Sequence, residues 1–147
     1  MIINLRFNGS VKRLTAKLAK LQPFMRNVGE YMVNRTIKEC FDKEQSPDGQ
    51  KLQPLSPARV KQRMKKHKTG SMKILQDTGE LRRSVRYEAT NQRVAIGSNL
   101  VYAATHQFGR GNIPARPFLA VTEADRQHIL RMLATYLNGG RNVSTSL

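Results

Sequence analysis

The chain has 147 residues, of which 26 are Lys or Arg and 10 are Asp or Glu, so its net charge at pH 7 is +16. No apolar run approaches the roughly 18 residues that span a bilayer, and the N-terminus lacks a charged leader before an apolar stretch, so we expect neither a membrane protein nor a secreted one. The single cysteine, Cys40, excludes an internal disulfide framework and a zinc site built on paired cysteines, and it favours a reducing cytoplasm.

The first third of the chain is predicted to contain a short strand and two helices. Apolar and polar side chains alternate over residues 3–7, which indicates a strand. A first helix follows, with an apolar stripe that includes Leu14 and Leu18. Pro23 fits the first turn of a second helix that extends to about Glu44.

Residues 45–76 are predicted to form a basic insertion made of a loop and a helix. Three prolines punctuate the loop over residues 45–57, and a helix with only Val60 and Met64 as apolar positions follows to about Lys68. We expect residues 67–73 to be mobile without a partner. Residues 49–76 include no Asp or Glu. The candidate contacts to a partner or to DNA are Lys51, Arg59, Lys61, Arg63, Lys65, Lys66, Lys68 and Lys73.

This basic segment has two interpretations that the residues leave open. It is either a contact surface for an acidic partner or nucleic acid, or a solvated loop whose charge aids solubility. No Phe, Tyr or Trp occurs between Asp42 and Arg86, whereas single-strand binders combine cations with aromatic stacking platforms. Any nucleic-acid contact here would therefore be made to phosphates.

The second half of the chain is predicted to contain a hairpin, a short helix, a further strand and a final helix. Apolar and polar side chains alternate over residues 85–89 and 94–96, which indicates the hairpin. Residues 100–107 are predicted to form the short helix. Residues 118–121 are predicted to add a third strand. Thr122 is expected to cap the last helix. The inner face of that helix is predicted to carry Ile129, Leu130, Leu133, Tyr136 and Leu137.

Together these elements predict an α+β fold, in which a small antiparallel sheet packs against two or three longer helices, with a mobile basic loop-helix insertion. Residues 1–140 are expected to form a single domain, and residues 141–147 a disordered tail.

The sequence contains no convincing catalytic site, metal site or cofactor site. None of the three histidines has metal-ligand spacing, and His106 is better explained as packed under the adjacent loop than as a base or ligand. Cys40 lies beside Phe41 on a predicted helix, where a buried structural cysteine is expected rather than a nucleophile.

Asp77 and Glu80 could be interpreted as paired catalytic carboxylates. Because they bracket a Thr-Gly turn, helix capping and pairing with Arg82 or Arg83 explain them more simply.

Four segments occur in a characteristic order: DGQKLQPLSP, ILQDTGELRRSV, VAIGSNLVYAATHQFG, and IPARPFLAV before the final helix. With their TG-x-L-x-x-S, YA-x-x-HQ-x-G and PARPFL motifs, they resemble the phage virion morphogenesis family of tail completion proteins. The resemblance covers roughly residues 48–137.

The resemblance implies a structural protein of the virion, assembled in the host bacterial cytoplasm, without enzymatic activity or cofactor. It would complete the tail or form the head-tail joining ring, as a homo-oligomer with six subunits if the ring matches a six-fold tail. Its partners would be tail tube or neck and connector proteins. The alternative is a sequence-nonspecific DNA-binding protein that uses residues 51–73. The residues assigned to assembly or structure are Tyr102, His106, Pro114, Arg116, Pro117 and Phe118.

Overall fold

A computed structural model describes residues 9–66 and 72–139 of the chain. Its longest element is a helix in two parts: α2 (Gln22–Arg35) is α-helical, and Thr36–Asp42 continues it as a π-helix. The predicted helix is confirmed, with proline in its first turn. The change to π-helical hydrogen bonding at Thr36 was not predicted.

The long helix supports two groups of buried side chains. Its N-terminal half contributes Phe24, Val28 and Met32 to one cluster. The other cluster lies around the π-helix and consists of Cys40, Phe41, Leu52, Leu75, Leu81, Val85, Ala103 and Phe118. Ile96 packs against both clusters, so they form a continuous core along one helix.

The predicted hairpin is confirmed. Strands β1 (Arg86–Ala89) and β2 (Val94–Gly97) are antiparallel, with Arg86 opposite Gly97 and Ala89 opposite Val94. The hairpin packs on α2, where Gly29 allows the helix backbone to approach the ring of Tyr87 closely. The α+β class is therefore also confirmed.

The first and last described helices are joined by polar contacts. Lys17 near the end of α1 (Gly9–Leu18) donates to the carbonyl oxygens of Tyr136 (2.9 Å) and Leu137 (3.2 Å) at the end of α6 (Glu123–Leu137). The Tyr136 hydroxyl donates to the carbonyl oxygen of Lys20 over 2.6 Å. The α1 helix is thus attached to the C-terminal end of α6.

The apolar faces of these two helices differ from prediction. Thr122 caps α6 as predicted, in a reciprocal capping box with Asp125. Leu130, however, is exposed and does not belong to the inner face. Leu14 and Leu18 on α1 are also exposed.

Three shorter helices complete the described structure: α3 (Pro57–Lys66), α4 (Glu80–Ser84) and α5 (Ala103–Phe108). Met64 on α3, predicted to be part of an apolar stripe, is exposed. No helix in residues 9–66 or 72–139 is long and apolar enough to cross a bilayer.

The predicted third strand over residues 118–121 is wrong. The backbone N–H groups of Phe118 and Leu119 donate to the side-chain oxygen of Gln107 over 3.0 and 3.1 Å. The Gln107 amide nitrogen donates in return to the Leu119 carbonyl oxygen over 2.8 Å. One side chain thus satisfies backbone groups that a neighbouring strand would otherwise pair with.

Several predictions fall on residues that the structure does not describe. These are the strand over residues 3–7, residues 67–71 of the segment predicted to be mobile, and the tail over residues 141–147.

Candidate functional site

A groove of about 990 Å³ lies between α3, α5 and the loops that precede α4 and follow α5. Its apolar lining includes Leu75, Leu81 and Ile113 together with three prolines. Its polar lining includes Arg59, Arg63, Asp77, Glu80, Tyr102, His106 and Arg116. The fold thus brings the basic segment, the YA-x-x-HQ-x-G motif and the PARPFL motif to one surface.

Arg63 corrects the prediction that the whole basic segment is available for contacts. It is only 5% exposed, and it donates from Nη1 to the Lys73 carbonyl oxygen over 2.8 Å. Its Nε lies 3.6 Å from the carboxylate of Asp77. Burial lowers the pKa of Arg63, while the nearby Asp77 raises it. Arg63 therefore holds the end of the insertion to the core, and little of its side chain is accessible to a partner.

The other predicted cations lie on the surface wherever the structure describes them, and Lys68 falls outside the described residues. The exposed residues are Lys51, Arg59, Lys61, Lys65, Lys66 and Lys73. Four of these project from α3, where Arg59 lines the groove.

Arg116 joins the segment after α5 to the loop before α3. Its buried guanidinium donates from Nε to the Gln53 carbonyl oxygen and from Nη2 to the Pro54 carbonyl oxygen, each over 2.7 Å. Phe118 lies in the core with its ring centre 5.5 Å from that of Phe41. Of the two prolines in this segment, Pro114 is exposed and Pro117, which lies between Arg116 and Phe118, is half-buried.

Tyr102 and His106 form one wall of the groove. The Tyr102 hydroxyl donates to Glu80 over 3.0 Å, and its ring meets the His106 imidazole edge-on at 5.8 Å between centres. Burial lowers the pKa of His106, and the nearby charges of Arg116, Arg59 and Arg63 lower it further. Both effects favour the neutral form of the imidazole. Its buried Nδ1 has no hydrogen-bond partner among the described residues.

The carboxylates of the Thr-Gly turn have partners other than the predicted ones. Asp77 faces Arg63, and Glu80 accepts from Tyr102. Arg82 instead pairs with Asp42 at 3.2 Å.

Cys40 is fully buried, as predicted. Burial raises the pKa of its thiol to about 11, so the reactive thiolate is disfavoured at neutral pH. No group of three or more His, Cys, Asp or Glu side chains suited to a metal ion occurs in the described part of the chain.

Sequence reasoning missed the apolar floor of the groove. Leu75 and Leu81 line it beside Ile113, although more than thirty positions of sequence separate Ile113 from either leucine. No local pattern connects them, so only the tertiary fold shows that they line the same groove.

Comparison with known families identifies the chain. A model of the phage virion morphogenesis family matches residues 5–138. The chain belongs to this family. The resemblance inferred from the four ordered segments is thereby confirmed, and the protein is a phage morphogenesis protein.

A curated relative supports the same assignment. This phage virion morphogenesis protein is 32% identical over 134 residues to the Mu-like prophage FluMu G protein 2 of Haemophilus influenzae (strain ATCC 51907 / DSM 11121 / KW20 / Rd), and the match covers 86% of each chain. No solved structure matches the chain.

Proposed function

We propose that this protein is a structural, non-enzymatic component that completes the phage tail or joins it to the head by forming a ring of identical subunits. Membership of the virion morphogenesis family supports a role in the particle. Tail tube or neck proteins would be its partners in the virion, and assembly would take place in the host bacterial cytoplasm.

The observation that carries this proposal is a pair of exposed apolar surfaces on different parts of the core. The α1 surface consists of Leu14 and Leu18, one helical turn apart, of which Leu18 is 52% exposed. The α5 surface is defined as the two exposed apolar residues at the ends of α5: Val101, two residues before the helix, and Phe108, its last residue, which are 95% and 78% exposed. Such large apolar side chains are stabilised when another protein surface covers them.

The placement of the two surfaces suits a head-to-tail contact. The α5 helix packs on the cluster around the π-helix, whereas α1 is attached to the end of α6, which packs on the other cluster. A contact between two different surfaces generates a ring when the rotation closes. We therefore propose that the α1 surface of one subunit covers the α5 surface of the next.

The test is the absolute mass of the full-length protein by light scattering at low and high salt. We expect a discrete multiple of the 16.7 kDa subunit mass that persists at high salt, because salt screens repulsion between basic subunits and leaves apolar contacts intact. Leu18→Asp and Phe108→Asp should each give monomers. Mixed together, they should form one-to-one dimers, because each variant retains the surface that the other has lost.

Val121→Asp is the matched control, since Val121 is exposed but belongs to neither surface. It should assemble like the unaltered protein. If Leu18→Asp and Phe108→Asp assemble as well as the unaltered protein, the proposed contact is wrong. An unaltered protein that stays monomeric alone and with purified tail components would contradict the ring itself.

The exposed cations of α3 favour a second candidate function, sequence-nonspecific DNA binding. Arg59, Lys61, Lys65 and Lys66 project from a helix without acidic residues, and contacts to phosphates need no base recognition. Reversing these four charges to Glu should abolish salt-sensitive binding to a random duplex, measured by fluorescence anisotropy. The control reverses four exposed cations of α1, its following turn and α6, and should retain binding: Arg13, Lys20, Arg126 and Arg131.

A further inference from the structure

The lining of the groove contains more arginines than carboxylates, and the proposed ring contact does not involve these side chains. Neither Val101 nor Phe108 lines the groove. Three guanidinium groups, those of Arg59, Arg63 and Arg116, line it together with His106. Of these, only Arg63 has a carboxylate of the described residues beside it, that of Asp77.

The other two guanidinium groups interact with neutral oxygen atoms. Arg59 donates to the side-chain amide oxygen of Gln62 over 2.7 Å, and Arg116 donates to two backbone carbonyl oxygens. The second carboxylate of the groove, Glu80, already accepts from Tyr102. Two positive charges therefore face or border the groove without a carboxylate from the described residues, and Arg59 is the exposed one.

The remaining lining adds two further requirements for a ligand. Leu75, Leu81 and Ile113 supply an apolar floor that would accept an aliphatic or aromatic side chain. The buried Nδ1 of His106 has no partner among the described residues, and a polar group of a ligand would satisfy it.

We propose that this groove binds an acidic segment of a different protein, with an apolar side chain against Leu75, Leu81 and Ile113 and a carboxylate on Arg59. Charge complementarity favours such a partner over a second copy of this chain, whose 26 Lys and Arg outnumber its 10 Asp and Glu. The proposal extends the function proposed above but depends on different residues from the ring contact.

The experiment selects binders to the full-length protein from a displayed library of random peptides at near-physiological ionic strength. The enriched peptides should carry Asp or Glu close to Leu, Ile or Phe. Arg59→Glu and Ile113→Ser should each weaken their binding about tenfold or more, because one removes the ion pair and the other the apolar contact.

Lys61→Glu is the matched control for charge, because Lys61 is exposed on the same helix and its reversal changes net charge equally. Val121→Ser is the control for loss of an exposed apolar side chain. Both controls should bind the peptides within about twofold of the unaltered protein. Circular dichroism melting of all four variants would verify that each is folded.

Three results would overturn the proposal: no enrichment, enrichment of peptides without acidic residues, or equal weakening by Arg59→Glu and Lys61→Glu. The mass of the Arg59→Glu variant separates this proposal from the ring. Unchanged assembly with lost peptide binding supports a distinct site, whereas a loss of assembly would show that a second copy occupies the groove.

Discussion

The hydroxyl of Tyr31 on α2 donates a hydrogen bond of 2.9 Å to the buried carboxylate of Asp125 in the first turn of α6. Arg35 lies 3.2 Å from the same carboxylate, which also accepts from the backbone and hydroxyl of Thr122. A single carboxylate thus caps α6 and attaches it to α2.

Replacement of this carboxylate should strongly destabilise the fold. Asp125→Ala leaves Arg35 without its buried partner and removes the cap, so the free energy of unfolding should fall by about 3–5 kcal/mol. Urea denaturation measures this change. Glu123→Ala is the control, because Glu123 lies in the same turn but is exposed, and it should cost about 0.3–1 kcal/mol. Equal losses in the two variants would contradict the role assigned to Asp125.

The same carboxylate predicts a specific pH dependence. Burial alone would raise the pKa of Asp125, but the hydrogen bonds from Thr122 and Tyr31 and the charge of Arg35 together lower it. Its stabilising contribution is therefore complete above the unfolded-state pKa of about 3.9 and is lost as the pH falls through the lower folded-state value.

Asp125→Asn provides the test, because asparagine does not titrate. The difference in unfolding free energy between the unaltered protein and Asp125→Asn should be large at about pH 7 and should shrink below about pH 4. A difference that stays constant across this range would show that the ionised form is not what stabilises the fold.

Gln107 should matter more for stability than an ordinary surface glutamine. Its side chain accepts from two backbone N–H groups, those of Phe118 and Leu119. Gln107→Ala should cost about 2–4 kcal/mol, because removing the acceptor leaves these donors unpaired. Gln127→Ala, at an exposed position on α6, should change the unfolding free energy by about 0.5 kcal/mol or less. Chemical denaturation of both variants measures the two losses of unfolding free energy.

Gly29 is expected to be intolerant of any side chain. A Cβ at this position would overlap the ring of Tyr87, so Gly29→Ala should destabilise the protein by about 1–3 kcal/mol despite the better helix propensity of alanine. In a Tyr87→Ala background the same substitution should be neutral or stabilising. Gly97→Ala is the control, since no atom lies within 4 Å of the added Cβ. Comparable thermal stability of Gly29→Ala and Gly97→Ala would contradict this packing.

Cys40 offers a single-site probe of unfolding, because it is the chain's one cysteine. With its side chain buried and its pKa raised to about 11, it should react with a thiol-specific reagent only when the protein opens. Its labelling rate at about pH 8 should therefore rise with added urea as the folded fraction falls. Rapid, complete labelling without denaturant would contradict the buried position.

The elements that the sequence predicted well are those with local signals. Pro23 marks the start of the long helix, alternation marks the hairpin, and Thr122 caps α6. Each signal lies within a few residues of the element that it specifies. The same holds for the burial of Cys40 beside Phe41.

The errors came from contacts between distant positions. Nothing near residues 118–121 indicates that Gln107 replaces a strand partner. Arg63 has the same local sequence character as its exposed neighbours, and its burial depends on Asp77 and on the Lys73 carbonyl oxygen. The apolar floor of the groove likewise depends on the fold bringing Ile113 to the same groove as Leu75 and Leu81. Sequence patterns predict the apolar faces of helices and strands and the caps of helices. The missing strand, the burial of Arg63 and the groove floor depend instead on residues that come together only in the tertiary fold.

The bonds from Lys17 to the end of α6 join residues 119 and 120 positions apart. During synthesis, α1 therefore cannot form both of these bonds until residue 137 has left the ribosome. A chain interrupted before residue 136 would lack both acceptors, so α1 with Leu14 and Leu18 would lose this attachment. The placement of the α1 surface therefore depends on the last helix that the structure describes.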